Sequence, residues 1–366
     1  MKLFTIGDSV AQGFMSAAAA RTDLCFSTLL AQALGLHPDC RMTDVANYFY
    51  PEWKANGAKT NIEAILRRLE RRYGSDIRDI EWATALFTLD SVLDESEQYY
   101  ERGEGKEDQS YHHRGVDHFH NVAIQGFSAA DAWLVTPELC RQEIAKQKQD
   151  RGNNFMQGAN AAFHRIALRV LKPNVNQTEE YSQLDWLGHH AQTEGVENLI
   201  LWLGNNNALG TVLGLDIKLT PNHPDIPVHK LSQPERWQKG WNLWHPNDFA
   251  AEYAELLERV DYRMQQNQYQ EWQVFVANIP MVTVIPFAKG VGETTIVTRE
   301  VEHCVNGKSE ARKVDWLYYK YYTYFPFEEE FAIETGKHLT MQDAIFIDDC
   351  ILEYNKTIQQ LNEVLI

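Results

Sequence analysis

Short unbroken apolar runs alternate along this chain with longer stretches in which apolar residues recur every three or four positions. The runs are residues 3–6, 83–89, 122–124, 198–203 and 274–279. Their length and the small polar residues that bound them predict buried strands. Residues 198–203 read Asn-Leu-Ile-Leu-Trp-Leu, which predicts a strand covered on both faces. Helical spacing appears in Ile62, Ile65, Leu66, Leu69 and Tyr73, between a capping Asn61 and a stopping Gly74. It recurs in Phe163, Ile166, Ala167, Val170 and Leu171 ahead of Pro173, and in Phe249, Tyr253, Leu256, Leu257 and Val260. Ser128 predicts the cap of a helix running to Trp133. A last helix begins after Thr340 and carries Ala344, Ile347, Ile351, Tyr354, Ile358, Leu361 and Leu365 on one face.

Strands alternating with helices predict βαβ units and a mostly parallel sheet. In such sheets ligands bind beyond the carboxyl ends of the strands. The small polar motifs lie at those ends: Gly7-Asp8-Ser9, Gln125-Gly126, Gly204-Asn205-Asn206-Asn207 and Asn278. Two stretches break the rhythm. Residues 94–114 are polar and charged, and read as a surface insertion. Residues 290–327 hold an alternating run at 294–301, a hairpin signal at Asn306-Gly307 and a tyrosine-crowded run at 316–327. They read as a hairpin that either packs on the body or serves as a lid.

Charge narrows the partners. With 34 Lys+Arg against 51 Asp+Glu, the net charge is −17, which gives no general attraction to nucleic acid or an anionic membrane. No apolar run is long enough for a membrane-spanning helix. A strand beginning at Lys2, without the pattern of a secretory signal, leads to the expectation of a cytoplasmic protein. The five cysteines are scattered and read as free thiols.

Ser9 stands at a predicted strand-to-helix turn, where a hydroxyl faces the cleft and helix N–H groups favour developing negative charge. Gly126 follows a buried strand, where a missing side chain lets backbone N–H approach a substrate. The asparagines after Gly204 offer an amide donor. Each motif alone has a bland reading as an N-cap, a turn glycine or an asparagine turn. Together they resemble the SGNH (GDSL) hydrolase family. Gly7-Asp8-Ser9-Val10-Ala11-Gln12-Gly13 matches its first block, Gly-Asp-Ser-x-x-x-Gly. Gly126 matches the glycine of the second, and Gly204-Asn205-Asn206-Asn207 matches Gly-x-Asn-Asp with asparagine in the last place. The resemblance implies one α/β domain over residues 1–366, a three-layer α/β/α sandwich with a central mostly parallel sheet and insertions. It also implies Ser9 as nucleophile, and an oxyanion hole from the Ser9 and Gly126 N–H groups and the Asn206 amide.

The family's last block, Asp-x-x-His, supplies the general base, and no such block follows residue 280. The expectation is that a C-terminal extension or a partner chain carries it. Two histidines in this chain are substitutes. His245 lies in Asn242-Leu243-Trp244-His245-Pro246, and His338 precedes the last helix. His112, His113, His118 and His120 could pair on a metal, but no Cys, Asp or Glu ligand motif accompanies them, so they read as a surface cluster. His189-His190 reads as a solvated helix face. No metal or cofactor is expected. The function expected is hydrolysis of an ester or thioester through an acyl-enzyme on Ser9. The alternative is a degenerate relative that binds an acyl or glycan ligand without turnover.

Overall fold

A computed structural model describes residues 2–14, 21–41, 44–53, 69, 71–72, 94, 98–102, 117–149, 161–174, 176–285, 288–305, 308–324 and 327–365. The predicted helix at 61–74, the predicted strand at 83–89 and most of the polar insertion at 94–114 lie outside the described residues.

The chain opens with β1 (Leu3–Gly7), α1 (Ser9–Gln12), α2 (Phe26–Ala33), β2 (Pro38–Asp39) and β3 (Tyr48–Phe49). There follow α3 (Asp131–Leu134), α4 (Pro137–Gln149), α5 (Ala162–Leu171), α6 (Gln183–Thr193) and β4 (Asn198–Trp202). The second half holds α7 (Asn206–Gly214), α8 (Gln233–Lys239), α9 (Pro246–Met264), β5 (Gln273–Val276), β6 (Ala288–Val305) and β7 (Lys308–Tyr324). It ends with α10 (Glu329–Thr335), β8 (Leu339–Thr340) and α11 (Met341–Leu365). The described residues form two compact units. The first is Met1–Phe127, Asp131–Trp202 and Arg259–Ala277; the second is Ser128–Ala130, Leu203–Glu258 and Asn278–Ile366.

The first unit is mixed α/β around a parallel sheet of order β1-β4-β5. Leu3 pairs with Asn198 and Gly7 with Trp202, so the two most apolar runs lie side by side. Every residue of β1 is buried, and Leu199, Ile200 and Leu201 of β4 are 5% exposed or less. The stretch expected as a strand at 122–124 lies along the other edge of β1 but forms a single isolated bridge, Thr5 to Asn121, rather than a strand. Thr5 N–H donates to the His120 carbonyl, Val122 N–H to Thr5 and Ile124 N–H to Gly7. Leu3, Ala31, Leu36, Tyr48 and Ile200 form a core on one face. β5 departs from its expected burial: it covers only Gln273–Val276, and Phe275 is 52% exposed. It pairs with β4 alone, so it is the sheet's edge among the described strands, and nothing in its composition announces that position.

Three buried amides hold the loops at the carboxyl end of β1. Gln183 Nε2 donates to the carbonyls of Gly7 and Val122. Asn121 Nδ2 donates to the Ala11 carbonyl and to Ser27 Oγ. Gln12 Oε1 accepts from the Gln125 N–H. Together they fasten α1 and the 121–125 segment to β1. Gly7 itself admits no side chain, because a Cβ there would lie 2.5 Å from Ala11 Cβ and 2.9 Å from the Trp202 carbonyl.

In the second unit, α9 starts at Pro246 and buries Phe249, Tyr253, Leu256 and Leu257 completely. Proline suits that first position because its missing N–H has no intrahelical partner to lose. α11 buries Ala344, Ile347, Ile351, Tyr354 and Ile358, the expected face, and Thr340 forms a reciprocal cap with Asp343. β6 and β7 form a long antiparallel hairpin, with Val305 opposite Lys308 on either side of Asn306-Gly307. The helix expected to start at Ser128 begins instead at Asp131. The Ala129 and Ala130 N–H groups are bonded to the side chains of Asn207 and Glu252, so residues 128–130 are held as a loop. Among the described residues, no helix is long and apolar enough to cross a membrane.

Candidate active site

Ser9 follows β1 directly and opens α1. Asp8 is fully buried, and its Oδ1 accepts the Val10 N–H, which closes the turn and presents Ser9 half-buried at the sheet's carboxyl end. α1 is only four residues long, so its dipole is weak. What the turn offers is specific donors. The Ser9 N–H bonds no described residue. Gly126 lies two residues past Ile124, whose N–H bonds Gly7, so it also stands beyond the carboxyl end of β1. Its φ of 83° lies in the left-handed region, and a Cβ there would sit 3.0 Å from the Phe163 ring. The Gly126 N–H likewise bonds no described residue. The first unit thus gathers Ser9 and Gly126 at one end of one strand, with two backbone donors to spare.

Among the described residues, none hydrogen-bonds the Ser9 hydroxyl.

Asn206 is the first residue of α7 in the second unit and is half-buried. Its neighbour Asn207, which replaces the expected aspartate, is fully buried. Asn207 Oδ1 accepts the Ala129 N–H at 3.0 Å, and Nδ2 donates to Glu252 Oε1 at 3.0 Å. An aspartate here would set one carboxylate against another, so the amide is what this network requires. Glu252 is itself fully buried and takes Arg236 Nη2 at 2.7 Å, Trp244 Nε1 at 2.8 Å and the Ala130 N–H at 3.0 Å. That hub anchors the residue next to Asn206.

Both substitute bases lie in the second unit. His245 donates its backbone N–H to Thr220 Oγ1, and its Nδ1 accepts the Asn247 N–H. His338 Nδ1 faces the Ala332 carbonyl at 2.7 Å. A carbonyl only accepts, so Nδ1 carries a proton. The same unit has a depression of about 530 Å³ at the base of the hairpin, lined by Thr283, Trp316, Tyr318, Tyr322 and Asp348 among others. None of the expected catalytic residues lines it. Burial pushes the Asp348 carboxyl above its usual range, against the opposing hydrogen bonds from Tyr318 and Thr283.

The histidines depart most from expectation. His120 and His190 are buried, with side chains 5% and 1% exposed, and they do not form a surface cluster or a solvated face. His189 is half-buried. α6 packs against β1, which turns His190 inward and leaves its neighbour toward solvent. His118, His120, His190 and Glu194 offer ligand atoms that all lie within 4.8 Å of one another. Burial pushes the His118 and His190 rings down to about 4. Burial alone would raise Glu194, but the histidine contacts outweigh it and hold the carboxyl well below its usual range. The sequence signal was half present in the His-x-His spacing of His118 and His120; His190 and Glu194 lie 70 and 74 residues beyond His120.

No protein-family model, curated protein or solved structure matches this chain.

Proposed function

We propose that this chain is the nucleophile-bearing body of a serine ester hydrolase of the SGNH type, with the three-layer α/β/α arrangement of that family. The observation that supports it is the pairing of Ser9 and Gly126 at the carboxyl end of β1, each with an N–H that bonds no described residue. Those donors suit the oxyanion that forms when Ser9 Oγ attacks an ester or thioester carbonyl, and the Asn206 amide is the third donor in this reading. Each such donor contributes on the order of 3–4 kcal/mol to the transition state. Collapse of the tetrahedral intermediate expels the alcohol or thiol and leaves an acyl-enzyme, which water hydrolyses.

The base is the remaining part. An Asp-x-x-His segment in a longer form of the chain or in a partner chain would take the Ser9 proton. Within this chain, His245 and His338 are the candidates. The second reading, ligand binding without turnover, draws on the lack of any described hydrogen bond to the Ser9 hydroxyl. A fluorophosphonate probe separates them. Labelling at Ser9, located by mass spectrometry and abolished in Ser9→Ala, supports the hydrolase. An adduct on another serine removes its centre. A chain that binds acyl esters but takes no label is the binder.

A further inference from the structure

We propose that His118, His190 and Glu194 bind a first-row divalent cation of the zinc class, with His120 holding the carboxylate in place. The hydrogen bonds fix which nitrogen of each ring carries a proton. His190 Nε2 faces the Phe119 carbonyl at 3.0 Å, and a carbonyl only accepts. Nε2 therefore carries an N–H, which leaves Nδ1 to face Glu194 Oε1. His118, His120, His190 and Glu194 each bring one ligand atom within 4.8 Å of the others. A His ligand whose far nitrogen donates to a backbone carbonyl is the usual support for a metal ion.

His120 is committed differently. Its Nδ1 accepts the Phe49 N–H at 2.8 Å, so Nε2 carries the proton and donates to Glu194 Oε1 at 3.0 Å. It orients the carboxylate without spending a lone pair on the ion. Lys2 Nζ, 3.1 Å from Glu194 Oε2, secures the other oxygen. His118 Nε2 lies 4.0 Å from Glu194 Oε1, and its ring centroid is 4.8 Å from that of His190. Ligands at about 2.0–2.2 Å from a tetrahedral ion stand about 3.3 Å apart, so the ion requires His118 to close on Glu194 and the His190–Glu194 contact to open. Two imidazoles and a carboxylate match borderline ions such as zinc better than calcium or magnesium. His118 and Glu194 are 27% and 26% exposed, which leaves a way in for the ion from solvent.

The site sits at the start of β1, beside Lys2, whereas Ser9 follows its end. The five residues of β1 span about 16 Å. The ion is therefore not a reagent for Ser9. It fastens the C-terminal turn of α6 to the segment that leads from His118 through Val122 to Gly126.

Untagged full-length chain, stripped with a chelator and dialysed, is titrated with zinc and with cobalt(II). Expected are one ion per chain by elemental analysis, a raised thermal midpoint with zinc, and visible cobalt absorption bands characteristic of nitrogen and oxygen ligands. His118→Ala and Glu194→Gln are expected to weaken zinc at least about 100-fold, and His120→Gln about 10–100-fold through the displaced carboxylate. His189→Ala, next in sequence but outside the cluster, is expected to change nothing. His118 is partly exposed, so its variant should fold; the cobalt spectrum of the parent chain needs no variant at all. Substoichiometric zinc with no thermal shift overturns the proposal and leaves a proton on His190 as the bridging charge. So does undiminished affinity in both ligand variants. None of these readouts uses Ser9, so failure here leaves the hydrolase reading untouched, and the reverse holds.

Discussion

Replacing Glu252 by glutamine removes one charge from the centre of a buried network while keeping its shape. Glu252 receives four donors: Ala130 N–H, Asn207 Nδ2, Arg236 Nη2 and Trp244 Nε1. Its side chain is fully buried and that of Arg236 is 4% exposed. Arg236 Nε and Nη1 find no hydrogen-bond partner among the described residues, so Glu252 and the face of Trp244, 5.2 Å from the guanidinium, carry its compensation. In Glu252→Gln the guanidinium remains buried without its counter-charge, and the amide NH2 turns hydrogens toward two of the four donors. Breaking a buried ion pair on one side costs about 3–5 kcal/mol, which covers both effects. The cost should fall on α7 and the 128–130 loop, because Asn207 and Ala130 are bonded to the same carboxylate. Urea unfolding followed by tryptophan fluorescence measures it. Arg236→Met in the Glu252→Gln background should recover about 2–3 kcal/mol relative to the sum of the single variants, since it removes the stranded charge. A single-variant cost below about 1 kcal/mol, or strict additivity, would refute the network as described.

Other expectations follow from the same geometry. Gly126→Ala forces a side chain into left-handed backbone 3.0 Å from Phe163; it should cost about 1–2 kcal/mol in stability and slow fluorophosphonate labelling of Ser9 at least about tenfold, whereas unchanged labelling would separate Gly126 from the oxyanion hole. Asp348 has its carboxyl raised above the ordinary value of 3.8, chiefly by burial, so the folded state holds its proton longer than the unfolded chain does. The stability it contributes is present below that value and is lost as pH rises through the folded pKa. Asp348→Asn should therefore flatten the decline of the thermal midpoint from pH 4 upward, and an unchanged pH profile would count against a buried, protonated Asp348.

The chain itself announced much of what local pattern can carry. Leu3 to Ile6 and Leu199 to Leu201 are runs that only a covered strand can satisfy, and they are neighbours in the sheet. The inward faces of α9 and α11 are the ones their spacing marks, because a period near 3.6 places apolar residues on one side whatever packs there. Asn306-Gly307 was legible as a hairpin for a similarly local reason, and Val305 opposite Lys308 brackets it. Of the candidate site, the Ser9 and Gly126 turns could be read because strand ends are marked by glycine and small polar residues.

What the sequence left open is polar burial, which depends on partners far along the chain. Gln12, Asn121 and Gln183 follow no period, yet they fasten the Ser9 and Gly126 turns to β1 through bonds to residues 61 to 176 positions away. Phe275 looked like core and is exposed, because only the order of strands makes β5 an edge. His189 and His190 are adjacent and alike in sequence, but a helix turns them about 100° apart, and packing against β1 decides which one is buried. Glu194 becomes a ligand candidate only when the end of α6 is brought beside Lys2 and His120. Apolar burial is non-directional and shows as a pattern, whereas a buried polar group is stable only against one particular partner, and that partner is chosen by the tertiary fold.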